Sequence, residues 1–171
     1  MNLPAGLTST QKGKVNEYLV AASILLASSG RLSPFVPLSD DHGIDLIALD
    51  KVSQRSICLQ VKSAVVSAKR KTVQFDVQKS TFRPVPNLLL LAVLFEPTTV
   101  SVGTSWLIPM ADVPSVSVDQ PDKYALSPSP VASSRDRYQP YRHEGPHALV
   151  ESLLRQLRAS PLKRWACRHR N

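Results

Sequence analysis

The sequence predicts an α/β domain built around a central sheet, and three observations lead there. A helix-spaced apolar pattern opens the chain, a second one closes it, and between them lie segments of strand length that either alternate or run continuously apolar. The 171 residues are 43% hydrophobic and 20% charged, which is enough apolar material to close one core without disulfides and too much for intrinsic disorder.

Residues 11–29 read as the first helix. Val15, Leu19, Ala22 and Leu26 recur at helical spacing, Thr8 and Gln11 are placed for a capping box, and Gly30 is a natural stop. Between Ala21 and Ala27 nearly every position is small or apolar, which predicts a helix packed on more than one side. Three strand candidates follow. Residues 33–37 form a short, weak one marked by two prolines, and residues 44–49 form an apolar one after the turn Asp40-Asp41-His42-Gly43. Residues 56–62 alternate, with Ile57, Leu59 and Val61 on one face and Cys58, Gln60 and Lys62 on the other. The link across 50–55 is short and polar, so a hairpin joins the last two.

Further on, Val73, Phe75 and Val77 alternate with Gln74, Asp76 and Gln78, giving a half-exposed strand after the cluster Lys69-Arg70-Lys71. Residues 88–95 are apolar throughout and belong in the middle of a sheet covered on both faces; residues 105–110 supply another strand. Across 114–146 proline and serine take over. Pro121, Pro128, Pro130 and Pro140 exclude any long regular element, so a long ordered loop or strap is expected. A helix over 146–159 closes the pattern, with a stripe of Leu149, Val150, Leu153, Leu154 and Leu157 and with Glu151 four residues before Arg155. The expected organisation is one domain over 1–160 and a basic tail over 161–171.

Charge and cysteine usage narrow the function. With 21 Lys+Arg against 13 Asp+Glu the net charge is +8, which makes a polyanion the first partner to consider. The two cysteines, Cys58 and Cys167, sit far apart in unlike contexts and support neither a disulfide framework nor a zinc quartet. The N-terminal stretch lacks a signal-peptide core and the longest apolar run is too short to span a bilayer, so the expected setting is the reducing cytoplasm, away from membranes.

The most informative pattern combines Glu17 on the first helix, Asp45 opening one strand, and Gln60-Val61-Lys62 ending the next. Strand residues two apart point the same way, so Gln60 and Lys62 project together, and the hairpin brings Asp45 opposite the end of its neighbour. A carboxylate, an amide oxygen and the Val61 carbonyl are hard donors suited to magnesium, with manganese as an alternative, and a lysine beside the ion's water can orient it or accept its proton.

These residues resemble the PD-(D/E)XK nuclease superfamily. The resemblance is carried by Gly13-Lys14-Val15-Asn16-Glu17, Gly43-Ile44-Asp45 and Gln60-Val61-Lys62-Ser63, and continues more loosely to Trp106-Leu107-Ile108-Pro109, which is similar to a segment of bacterial members without an assigned role. It implies a restriction-endonuclease-like mixed sheet flanked by helices and metal-dependent cleavage of DNA. On that resemblance Asp45 matches the metal-binding aspartate, Gln60 the position usually held by a carboxylate, Lys62 the lysine, and Glu17 the acidic residue of the first helix. Ile44 replaces the proline of the family name, and Gln60 replaces a charge with a neutral amide. Some members, intron-encoded homing endonucleases among them, are similar in carrying glutamine there. The lost charge should lower metal affinity and shift binding toward Asp45 and Glu17.

Other motifs carry less. His143-Glu144-Gly145-Pro146-His147 matches the zinc-protease string, but that chemistry needs a continuous helix, which Gly145 and Pro146 interrupt. His42 reads as a turn residue and Trp106 as core. Lys69, Arg70, Lys71, Lys163 and Arg164, with Arg168 and Arg170, are candidates for following a phosphate backbone.

The leading reading is therefore a magnesium-dependent DNA endonuclease, as a homodimer if it cuts both strands. The alternative is a non-cutting DNA-binding or protein-interaction module of the same fold in a restriction or defence assembly, favoured by Gln60. An RNA-binding protein of another fold is disfavoured by an aromatic content of only 6%.

Overall fold

Alternation along one strand, Leu88–Phe95, explains the layering of the molecule. In the computed structural model, which describes residues 6–39, 43–65, 73–95 and 101–159, all eight residues of this strand (β5) are buried. Leu89, Leu91, Val93 and Phe95 enter a core shared with two helices; Leu88, Leu90, Ala92 and Leu94 enter a second core on the opposite face. The strand thus sits between two apolar layers, as its unbroken hydrophobic run requires.

The chain starts with helix α1 (Ser9–Ala27), whose N-cap Thr8 forms a reciprocal capping box with Gln11. Strands β1 (Leu32–Phe35), β2 (Leu46–Asp50) and β3 (Arg55–Val65) follow, then β4 (Phe75–Gln78), β5 and β6 (Val102–Pro109). A 3-10 turn and the short helix α2 (Val113–Val116) lead to β7 (Val118–Asp119), β8 (Lys123–Leu126), β9 (Arg142–Glu144) and the closing helix α3 (Gly145–Ala159). The main sheet has six strands in the order β1-β2-β3-β5-β6-β9. β3 and β5 are parallel and every other pair in it is antiparallel, so the sheet is mixed. The parallel pair requires a crossover, and the connection between them carries β4.

α1 and α3 cover one face of the sheet. Leu149, Leu153 and Leu157 of α3 are buried there with Val20 and Ile24 of α1, and each side chain contributes about 1.5–3 kcal/mol relative to exposure. Arg55 ties the end of α3 to β3, its Nη1 donating to the Leu157 and Arg158 carbonyls at 3.0 and 2.8 Å. The other face is covered by a small sheet, β4-β8-β7, with Phe75 and Val77 packed on Leu90 and Trp106. Trp106 is fully buried, its ring 6.0 Å from that of Phe75, so it is core.

Two expectations need correction. α1 packs on one side, not several: Glu17, Val20 and Ile24 are buried, whereas Tyr18 and Leu26 are 60% and 77% exposed. Apolar residues all around a helix cannot select a face by periodicity, and the sheet selected the line through Glu17 over the one through Leu26. The 114–146 segment, expected as loop or strap, instead supplies β7 and β8 of the small sheet and the edge strand β9. Its prolines prevent long elements but not strands of two to four residues, and Asp136 organises the remainder by accepting from the backbone N–H groups of Ser129 and Tyr138 at 2.7 and 3.0 Å.

No helix among the described residues is long and apolar enough to cross a membrane. Cys58 is a free cysteine, half-buried, and burial pushes its thiol pKa up.

Candidate active site

β2 pairs with β3 from Asp50 opposite Arg55 to Leu46 opposite Leu59, and β3 then runs on to Val65. Asp45 continues the ladder past the end of β2. Its backbone N–H donates to the Leu59 carbonyl at 2.9 Å, and its side chain takes over from there, Oδ2 accepting the Val61 N–H at 2.6 Å. A carboxylate thus stands where the next backbone acceptor would be. The N–H and C=O of one strand residue leave by the same edge, so the Val61 carbonyl is directed to the same side as Asp45.

Gln60 lies on the next step of the pleat and is 3% exposed. Its amide is packed beneath Gly43, whose φ of +66° favours glycine and where an added Cβ would fall 2.7 Å from Gln60 Nε2 and 3.2 Å from the Thr81 carbonyl. Held there, Gln60 Oε1 is buried and has no hydrogen-bond partner among the described residues. Such an acceptor is costly in a folded protein and calls for a ligand or a function.

α1 brings Glu17 from above. Its side chain is only 12% exposed, and Lys14 Nζ donates to its Oε2 at 2.9 Å. Asn16 Nδ2 donates to Ser63 Oγ at 2.7 Å, pinning this part of the helix to β3. Glu17, Asp45, Gln60, Val61 and Lys62 all line one cavity of about 430 Å³, together with Lys14 and Thr81.

Asp76 was not singled out by sequence. Burial works against its ionisation, but hydrogen bonds from Lys123 Nζ (2.8 Å) and Gln74 Nε2 (2.9 Å), the charge of Lys123 and, more weakly, that of Lys62 hold its carboxyl below the usual range. The small sheet therefore places an anion within the field of Lys62. Asp76 stood on the polar side of the β4 alternation, but no spacing indicated that β4 would lie near Lys62.

Lys69, Arg70, Lys71, Lys163, Arg164, Arg168, Arg170 and His42 lie outside the described residues. His143 and Glu144 are in β9 while His147 is in α3, with Gly145 at φ +69° between them, so the three never share one helical face.

The described residues contain no group of three or more His, Cys, Asp or Glu able to hold a metal. The donors present are two carboxylates, an amide oxygen and a main-chain carbonyl, a set of hard oxygens that fits a small divalent cation keeping part of its water. The buried, unpartnered Gln60 Oε1 is the atom that such an ion would satisfy.

This architecture, a mixed sheet with a parallel β3–β5 pair and the cavity at the end of the β2–β3 hairpin, is the restriction-endonuclease-like fold. Among solved structures the chain is similar to I-Ssp6803I, a bacterial homing endonuclease, at 19% identity and a TM-score of 0.54 over 87% of this chain and 94% of that one. It is also similar to Hjc, a Holliday junction resolvase from the archaeal hyperthermophile Archaeoglobus fulgidus, at 12% identity and a TM-score of 0.47, covering 78% and 91% of the two chains. No family model and no curated protein matches the sequence.

Proposed function

We propose that this chain is a magnesium-dependent endonuclease, active also with manganese, that hydrolyses DNA phosphodiester bonds in the Asp45–Gln60–Lys62 cavity. The observation that carries the reading is the buried Gln60 Oε1, without a partner among the described residues inside a cavity that Glu17, Asp45 and Lys62 also line. The fold shared with a homing endonuclease supports the same chemistry.

Asp45, Glu17, Gln60 Oε1 and the Val61 carbonyl would hold the ion. When bound, it supplies Lewis acidity toward the phosphate and its attacking water. Asp45 is positioned for this by the Val61 N–H, which fixes one carboxylate oxygen at the end of the ladder. Lys62, half-buried on the same strand face as Gln60, orients the attacking water and takes its proton. Burial of Gln60 keeps the amide from rotating out to solvent, so the neutral ligand is preorganised even without the charge of a glutamate. The basic runs 69–71 and 163–164 follow the phosphate backbone, and two copies are required to cut both strands of a duplex.

The test is incubation of the pure protein with supercoiled plasmid in magnesium, in manganese and in chelator. Nicked or linear product with either metal, lost in chelator and in Lys62→Ala, is the expected result; a folded protein that leaves the plasmid intact in both metals overturns it. Two observations favour a second reading, a non-cutting DNA-binding module: Gln60 is neutral, and Glu17 is already paired with Lys14. Retention of duplex DNA without cleavage would establish that reading instead.

A further inference from the structure

The Lys14–Glu17 contact has the spacing of an ordinary i, i+3 helix pair, but its two ends lie in different surroundings. The Glu17 carboxylate is buried in the cavity, while the Lys14 side chain is 41% exposed and keeps a path to solvent. Both residues line the same cavity as Asp45 and Lys62, so among the described residues its charged lining comprises two cations and two anions. That balance suits a site without a metal. A divalent ion entering it needs the carboxylate on which Lys14 sits, because Gln60 contributes no charge.

We propose that Lys14 neutralises Glu17 until a divalent ion displaces it, and then binds a phosphate of the DNA at the cavity mouth. The inference rests on the endonuclease reading above and adds to it a residue that competes with the metal and then serves the substrate. The Asn16–Ser63 hydrogen bond holds the helix against β3, so the exchange requires only rotation of the long Lys14 side chain and no movement of α1. Thr10, one turn before Lys14, and the adjacent Gly13 line the same cavity, so its mouth at this end of α1 carries no bulky side chain among the described residues that would block the rotated ammonium. Lys14 and the ion thus bind Glu17 in turn, while the cavity as a whole becomes positive only when the ion is in place, the condition under which an anionic substrate is held most strongly.

The experiment compares wild type, Lys14→Gln and Lys14→Arg as full chains. Calorimetric titration with manganese alone should show Lys14→Gln binding about fivefold tighter than wild type, with Lys14→Arg close to wild type. Duplex DNA titrated in calcium should then bind Lys14→Gln more weakly, with a log–log salt slope smaller by about 0.9, the value of one phosphate contact. Unchanged or weaker manganese affinity in Lys14→Gln, or unchanged DNA affinity, overturns the proposal while a wild type that binds manganese and cuts plasmid leaves the endonuclease reading standing. A wild type that binds no manganese overturns both.

Discussion

Two buried aspartates bracket the same five-residue strand, and they are treated oppositely. Asp50, at the end of β2, is saturated: Arg31 donates to both carboxylate oxygens at 2.9 and 3.0 Å, the Val52 N–H donates at 3.1 Å and the Ser53 hydroxyl at 2.8 Å. Asp45, immediately before β2, is fixed by the Val61 N–H and faces a cavity shared with Glu17, Lys62 and an amide oxygen that has no hydrogen-bond partner among the described residues. Burial alone does not distinguish a structural carboxylate from a functional one. The difference lies in what surrounds it: Asp50 is enclosed by donors fixed in the fold, whereas Asp45 shares a cavity with a second carboxylate, a buried amide oxygen and two lysines, side chains that can rearrange around an incoming cation.

The largest effects should come from the Asp45 end. Lys62→Ala is expected to lower plasmid cleavage by about 10²–10⁴-fold with little change in thermal stability, since Lys62 is half-buried and lies at the cavity. Asp45→Asn should behave similarly, whereas Asp50→Asn should leave cleavage per folded molecule unchanged. Loss of activity in Asp50→Asn with the fold intact would erase the distinction between the two ends.

Stability should show the reverse order. Asp50→Ala removes the acceptor for four hydrogen bonds around an aspartate that is 1% exposed. The expected cost is about 2–4 kcal/mol in urea unfolding, at the lower end for a broken ion pair because the Arg31 side chain reaches solvent. The hydrogen bonds from Arg31, then Ser53 and Val52, outweigh burial and hold the Asp50 carboxyl far below its usual value of 3.8. A depressed folded-state pKa means stabilisation that is complete above the unfolded pKa and is lost on acidification. The stability gap between wild type and Asp50→Asn should therefore be constant from neutral pH down to about pH 5 and shrink steadily below about 4. A gap independent of pH would show that Asp50 acts by packing.

Smaller effects concern how the cavity is supported. Gln60→Glu should tighten magnesium or manganese severalfold by calorimetry, because a third carboxylate adds charge to a hard-cation site; unchanged affinity in a folded variant would remove Gln60 from the ligand set. Thr8→Ala should cost only about 1 kcal/mol, the value of an N-cap, and leave cleavage intact.

How much of this was legible beforehand depends on the range over which each feature is encoded. Alternation placed Gln60 and Lys62 on one strand face, and the short 50–55 link brought Asp45 to them, because a hairpin is a local object. The buried run of β5, the Thr8–Gln11 cap and the break at Gly145-Pro146 are local as well. Glu17 was legible as a match of residue type and from its apolar helical neighbours Ala21 and Ile24, although the helical spacing also offered the line through Leu26, and the sheet buried the line through Glu17.

The sequence by itself thus determined the element types, the inward side of each alternating strand and the residue types gathered at the hairpin end, since backbone sterics and apolar period act over a few residues. Long-range packing decided which face of α1 meets the sheet, that β5 runs parallel beside β3, and that β4 joins β8 to bring Asp76 into the field of Lys62. Those choices depend on which apolar surfaces cover one another across long stretches of chain, and a pattern read residue by residue carries no record of the partner that will lie opposite.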